Sequence, residues 1–510
     1  MGKIVSKEIF KEEIRPVLRI DNKTIALCHG VFDLVHPGHI IHLQQAKEMA
    51  DVLVVSVTAA KYVRKGPGRP YFNDELRLQF LAAIECVDYV MLSEGYTVED
   101  IVESVEPDIY VKGEEYAKEG EDLTGKITSE RKFVEQHGGK IKYTGGQVFS
   151  STKMINIALS GLPQEVIRYM EDFKTRYSME DVRHYTQKAS LLKILVVGDI
   201  IIDKYTYCTV QGLMSKDTAY SSRLDYTEEY LGGAGIIARH LHGFSENVTI
   251  MSIVGNEEDI QCQILEQLED EVQMKLEYSK LMPTIIKHRY LTRNAKRDEY
   301  RKIFSISNIQ THMDCEKEVK DKFKKQLIEE IGEFDAVFVC DFGHGLIDNE
   351  IKEMIEEKAK YLVLNCQANS MNYGLNIITK YKKADLFTLD QKELRLAYPM
   401  YASDEQFALQ KLSGYLHGKG WLTRGSSGAW GIEEGNVYEC PAFTLKVKDT
   451  VGAGDAFYAV AGLYAAAGAP IEFATMMGNV GGALAVNIVG NKEPVEKVNI
   501  LKFTSTLMNV

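Results

Sequence analysis

Gly30 to Leu43 reads GVFDLVHPGHIIHL, between an apolar run and a segment with helical periodicity. The run, Thr24 to Cys28, has the character of a buried parallel strand. A strand that feeds a helix through a tight turn places side chains and free helix N–H groups at the carboxyl edge of the sheet. Open α/β sheets bind ligands at that edge. His36 and His39 lie there, on neighbouring positions of one helical turn. Two readings stand for such a pair: ordinary helix-start histidines, or imidazoles aimed at an anion held by the helix N-terminus.

Working outward, a chain of 510 residues exceeds the size at which one hydrophobic core stops growing, so two or three domains are expected. No run approaches the ~18 apolar residues of a membrane span, and the first twenty residues lack a signal-peptide core. A cytoplasmic protein without a membrane partner is expected. The eight cysteines form no CxxC pair, as reduced, packed thiols do. A net charge of −13 speaks against nucleic acid as a partner but leaves room for phosphorylated metabolites where basic residues cluster.

Residues 1 to about 22 read as one amphipathic helix. From Thr24 onward strand and helix alternate, with strands expected at Ile25–Cys28, Val52–Val57, Tyr89–Leu92, Ile109–Val111 and Ile141–Tyr143. That alternation specifies a parallel sheet covered on both faces. Residues 161–190 are charged and helix-permissive, and read as a helical connector. A second α/β run opens with ILVVGDIIID at Ile194 and continues through Val248–Val254, Ala336–Cys340, Tyr361–Leu364, Leu386–Leu389 and Gly420–Thr423. The expected domains are therefore 1–160 and 191–510.

The first stretch resembles the HxGH signature of the nucleotidyltransferase superfamily, here His36-Pro37-Gly38-His39 behind the family's G-x-F-D, Gly30 to Asp33. Four further stretches follow in order. They are RKGPGRP from Arg64, DELRLQFLAAIECVDYV from Asp74 with Arg77 on its helix, PDIYVKGEEY from Pro107, and SSTKMI from Ser150. The resemblance implies a Rossmann-like domain in which a sugar 1-phosphate attacks the α-phosphorus of an NTP. His36 and His39 would stabilise the phosphoryl charge and Lys112 would neutralise phosphates. Lys65, with Lys61 as the alternative, would do the same. Gly30, Phe32, Asp33, Arg77, Ser150, Ser151 and Thr152 would contact the nucleotide, which carries Mg²⁺. His29 and His42 are read as structural. ATP is expected over CTP, because the span from about Lys3 to Leu159 most resembles the adenylyltransferase of the ADP-heptose pathway.

In the second half, DTVGAGDAF spans Asp449 to Phe457. The small residues Gly452, Ala453 and Gly454 let the backbone approach a phosphoryl group, and the following helix offers N–H groups and a positive dipole end. Asp455 is placed to take the proton of an attacking hydroxyl. The nonapeptide resembles the second signature of the PfkB (ribokinase-like) sugar kinases. That resemblance implies a ribokinase-like domain with Asp203, Gly232 and Gly233 at the sugar, Thr423, Gly425 and Asn479 at the nucleotide, and Asp390 and Glu393 at Mg²⁺. Three positions depart from the family: Ile236 in place of a sugar-reading asparagine, Asp390 in place of the asparagine of N-x-x-E, and Asn365 at a strand end that usually reads D-P-K or D-x-N.

The fusion resembles the bifunctional ADP-heptose synthase-like family, with the two domains in reversed order. It implies a sugar kinase and sugar-1-phosphate nucleotidyltransferase that uses sugar phosphate and NTP; a homodimer is expected by analogy. The competing expectation keeps nucleotidyl transfer and makes the kinase-like half a sugar-binding or scaffolding module.

Overall fold

The computed structural model describes residues 2–63, 70–95, 97–113, 126–145, 162–268, 271–294, 299–309, 315–368, 372–443 and 447–509. It divides into two units, Met1–Leu162 with Leu501–Val510, and Pro163–Ile500.

The first unit is built on six parallel strands, β1 (Lys3–Ile4), β2 (Ile25–Gly30), β3 (Val52–Thr58), β4 (Tyr89–Ser93), β5 (Ile109–Gly113) and β6 (Lys140–Thr144), in the order β1-β4-β3-β2-β5-β6. Alternation along β2 sends Ala26 and Cys28 into one core cluster with Leu43, Ala46 and Leu81. It sends Ile25 and Leu27 into another with Phe10, Ile101 and Val102. Both faces are thus covered. From β2 the chain order runs outward in both directions, so the carboxyl end of β2 is the topological switch point, and Gly30–Leu43 leaves from there. The N-terminal segment differs from the single helix expected: Lys3–Ile4 adds an edge strand to β4 before a helical stretch over residues 7–20.

The second unit has a nine-stranded sheet and a four-stranded one. Strand β7 (Ile194–Gly198) is third in the larger sheet, with β10 (Val248–Gly255) and β11 (Gln273–Ser279) on one side. On the other lie β14 (Ala336–Asp341), β15 (Leu362–Cys366), β16 (Leu386–Asp390) and β17 (Lys419–Thr423), followed by antiparallel β18 (Ala429–Glu433) and β19 (Asn436–Cys440). The smaller sheet, order β13-β12-β8-β9, joins β8 (Ile200–Leu213), β9 (Tyr220–Gly233), β12 (Ile285–Asn294) and β13 (Glu299–Ser307). ILVVGDIIID divides at Asp199, with its first half in the larger sheet and its second half in the smaller one. Gly198 marks the break, because a Cβ there would lie 2.2 Å from the Cys340 carbonyl oxygen.

The expected connector is part of the second unit. Its helices, Gln164–Arg176 and Met179–Ser190, bury Val166, Ile167, Met170 and Phe173 on one stripe and Val182, Thr186 and Ala189 on another. Phe173 packs 5.9 Å from Phe473, and the Thr186 hydroxyl meets that of Tyr464 at 2.6 Å. The charges that suggested a solvated linker occupy the opposite faces.

Candidate active sites

In the first unit, β2 gives way to a turn in which Phe32 adopts φ +45°. His36 then caps the Pro37–Glu48 helix. Its Nδ1 accepts the Gly38 N–H at 3.1 Å, while the His36 N–H donates to His39 Nδ1 at 3.4 Å, a capping box built from two imidazoles. Their ring centroids are 4.0 Å apart, and Phe32 meets His39 edge-on at 5.6 Å. Pro37 at the first helical position gives up no needed N–H. Gly38 leaves room for the rings, since a Cβ there would sit 2.9 Å from His36 Cε1. Desolvation lowers the His36 pKa, favouring the neutral ring.

Asp33 accepts the N–H groups of Tyr71 (2.7 Å) and Phe72 (3.1 Å), fixing the segment that follows RKGPGR against the turn. Arg77, expected at the nucleotide, is 1% exposed, and its guanidinium donates to the carbonyls of Val31 (2.6 Å) and Thr58 (2.9 Å) and pairs with Asp74. It braces the ends of β2 and β3. Lys112 ends near β2 and pairs with Glu130 at 2.8 Å; Lys61 pairs with Glu94 at 3.3 Å. His29 Nδ1 meets the Ser56 hydroxyl at 2.7 Å and His42 Nδ1 that of Thr144 at 2.6 Å. Desolvation, aided by the Lys112 charge, pushes His29 down to about 3. Lys65, Ser150, Ser151 and Thr152 lie outside the described residues.

In the second unit a cleft of about 290 Å³ brings together Asp203, Gly233, Asp390, Glu393, Thr423, Gly452, Gly454 and Asp455. Gly452 caps the Ala453–Ala466 helix at φ +82°, and a Cβ there would lie 2.1 Å from Asn491 Oδ1. Asp455 follows in the first turn, where Gln367 Nε2 donates to its Oδ1 at 3.1 Å. Burial, reinforced by the Asp203 charge and opposed by Gln367, raises its carboxyl to about 6. A carboxylate with that pKa is ionised near pH 7 and still basic enough to accept a hydroxyl proton.

Asp203 carries an ion pair with Arg289 and accepts from Asn491 Nδ2 at 3.0 Å. Gly232 makes space for that carboxylate, because a Cβ would lie 2.5 Å from Oδ2. Lys287 also lines the cleft, over the Phe342 ring at 5.3 Å. Lys287, Arg289 and Asn491 were not singled out in the sequence. The first two carry a faint signal, as they alternate along IIKHRYLTRN and so share a face of β12; Asn491 carries none.

Asp390 and Glu393 form a reciprocal capping box on the Gln391–Ala397 helix, each side chain accepting the other's N–H at 2.8 Å. Burial and the Asp390 charge raise Glu393 to about 7. Asn365 Oδ1 and Thr388 Oγ1, on residues that line the cleft, are buried without hydrogen-bond partners among the described residues. Among the described residues no group of three or more His, Cys, Asp or Glu side chains could hold a metal. This oxygen-rich but sparse set fits Mg²⁺ that arrives with a nucleotide and keeps its waters, and does not make a protein cage. Thr423 donates to the Leu389 carbonyl at 3.3 Å. Asn479, expected at the adenine, donates instead to the Cys440 carbonyl at 3.1 Å, and neither it, Gly425, Ala453 nor Gly232 lines the cleft. Ile236 is fully buried in the Ala234–His242 helix, so it offers nothing to a sugar.

Fold and sites together define an α/β protein with two candidate sites at helix N-termini, one capped by histidines and one followed by a buried aspartate. Residues 191–498 match the pfkB family carbohydrate kinase model, and residues 27–157 the cytidylyltransferase-like model. The chain belongs to the pfkB family of carbohydrate kinases and carries a cytidylyltransferase-like N-terminal domain. Among curated relatives, the bifunctional protein HldE of Syntrophotalea carbinolica is 35% identical over 145 residues, covering 27% of this chain and 28% of the relative. That of Citrifermentans bemidjiense is 38% identical over 122 residues, 24% of each. The chain spans only about a quarter of the length of the curated relatives it matches. Phosphofructokinase-2 from Escherichia coli, solved with substrates and products, aligns with a TM-score of 0.50 at 15% identity, over 62% of this chain and 99% of that one. That likeness concerns the fold.

Proposed function

We propose that the protein is a bifunctional enzyme of activated-sugar synthesis, a sugar or sugar-phosphate kinase joined to a sugar-1-phosphate nucleotidyltransferase that prefers ATP to CTP. The observation that carries the kinase reading is Asp455, held by Gln367 in the first turn of a glycine-capped helix and lining one cleft with Asp203. The acceptor hydroxyl forms a bond to the γ-phosphorus, the bond to the β-phosphate oxygen breaks, and ADP leaves. Asp455 accepts the hydroxyl proton. Gly452 and Gly454 offer backbone N–H groups to the transferring phosphoryl, while Asp203, set by Arg289 and Asn491, orients the acceptor. Asp390 and Glu393 would hold waters of Mg²⁺, whose chemistry is to neutralise phosphate charge.

In the first unit the sugar 1-phosphate oxygen bonds to the α-phosphorus and pyrophosphate departs. His36 and His39, their rings tilted against each other, donate to the α-phosphoryl oxygens beside the helix N-terminus, and Lys112 meets the phosphates. The relatives' name, bifunctional protein HldE, supports two activities in one chain. ATP consumption and pyrophosphate release, measured on the full chain with reducing sugars, sugar phosphates and sugar 1-phosphates, test both halves. Faster pyrophosphate release with CTP would reject the ATP preference.

The buried Ile236 favours a second reading, in which the kinase-like unit binds sugar without turnover. Sugar-dependent thermal stabilisation with no ADP formed from any sugar would support it. The setting proposed is cytoplasmic, and no helix among the described residues is long and apolar enough to cross a membrane.

A further inference from the structure

Lys112 lies at the end of β5, beside the strand that leads into the histidine-capped helix. Its ammonium meets Glu130 Oε2 at 2.8 Å, with the two side chains only 13% and 15% exposed. The Tyr110 hydroxyl donates to the same oxygen at 3.3 Å, and the Tyr110 ring lies 4.8 Å from Lys112 Nζ. The backbone at Lys112 is held as well. Thr144 donates to its carbonyl at 3.4 Å, and Thr144 is in turn bonded by His42 of the Pro37–Glu48 helix. A cation so enclosed requires an anion, and Glu130 supplies one.

We propose that Glu130 is the resting counter-ion of Lys112, a positioning residue whose carboxylate is displaced by a nucleotide phosphate as the first unit binds its triphosphate. The inference rests on the nucleotidyltransferase reading of that unit. A phosphate oxygen makes the same demand on the ammonium as a carboxylate oxygen, and a triphosphate brings more charge. The buried Tyr110 ring stays under the lysine stem, so the exchange needs only side-chain rotation. Nucleotide affinity is then set by competition with Glu130, and removing its charge should tighten binding through Lys112 alone.

The test is calorimetric binding of Mg²⁺ with α,β-methylene ATP to the full chain, in wild type, Glu130→Gln, Lys112→Met and the double variant. The first unit's site is the one that Lys112→Met weakens. Glu130→Gln keeps an acceptor for Tyr110 and should raise the affinity of that site by roughly three- to tenfold. The double variant should bind no more tightly than Lys112→Met, and Glu135→Gln, an exposed acid on the same helix, should match wild type. Should Glu130→Gln fail to fold, Glu130→Asp gives the second readout: a shorter acid that grips Lys112 less should show a smaller gain. Unchanged or weaker binding in the folded Glu130 variant, or a gain that persists without Lys112, would overturn the inference. A Lys112→Met variant with both nucleotide sites intact would instead remove the underlying reading of Lys112, and this inference with it.

Discussion

Gly38 determines where the His36 ring can lie, because the ring folds back over the first helical turn into the space a side chain would fill. Gly38→Ala would place a Cβ 2.9 Å from Cε1 and 3.1 Å from Nδ1 of His36. The ring must swing away, and nucleotidyl transfer is expected to fall by about 10- to 100-fold while the lost cap costs only about 1 kcal/mol. Pyrophosphate release compared with urea unfolding separates the two effects. Asp455 invites a different experiment. An unfolded carboxyl loses its proton near pH 4, whereas Asp455 in the folded chain holds it to about 6. Between those values the folded state binds the extra proton, so this residue's contribution to stability declines as pH rises and stays lost above pH 6. Asp455→Asn should therefore abolish phosphorylation yet leave the chain at least as stable as wild type at pH 8, with the advantage shrinking toward pH 4. Urea midpoints across that range check it. Wild-type phosphorylation should itself fade as pH drops through about 6, when the base becomes protonated.

At the scale of elements, Arg77 shows what sequence could and could not carry. Its helix was legible, and so was a basic residue on it, but the carbonyls it serves belong to Val31 and Thr58, brought together only when β2 and β3 pair. Arg77→Met leaves both carbonyls buried without donors and should destabilise the first unit by about 2–5 kcal/mol, visible as an earlier unfolding transition. The carbonyls that Asn479 serves, those of Cys440 and Pro441, are likewise far away in sequence. By contrast HPGH and GAGD were readable because a cap, a glycine turn and the residue that follows are local features. The strands were legible through their apolar continuity. The packing of residues 164–190 was not, because an amphipathic helix looks the same whether its apolar stripe meets a neighbouring domain or its own. Phe173→Ala should cost about 3–5 kcal/mol in the second unit, measurable by denaturant titration.

For the molecule as a whole, two units with separate sheets and separate candidate sites should fail separately. Each has its own core, and lesions without shared partners act independently. The direct test is ³¹P NMR of the full chain with Mg²⁺ and ATP. One sample is supplied with sugar phosphates and another with sugar 1-phosphates, for wild type, Asp455→Asn and His39→Ala. The expected result is ADP formation that vanishes in Asp455→Asn with pyrophosphate release kept within a few-fold. His39→Ala should do the reverse, losing on the order of 10²–10³ in pyrophosphate release with ADP formation intact. Loss of pyrophosphate release by an order of magnitude in a folded Asp455→Asn chain, or wild-type protein that forms neither product from any sugar supplied, would contradict a two-site enzyme.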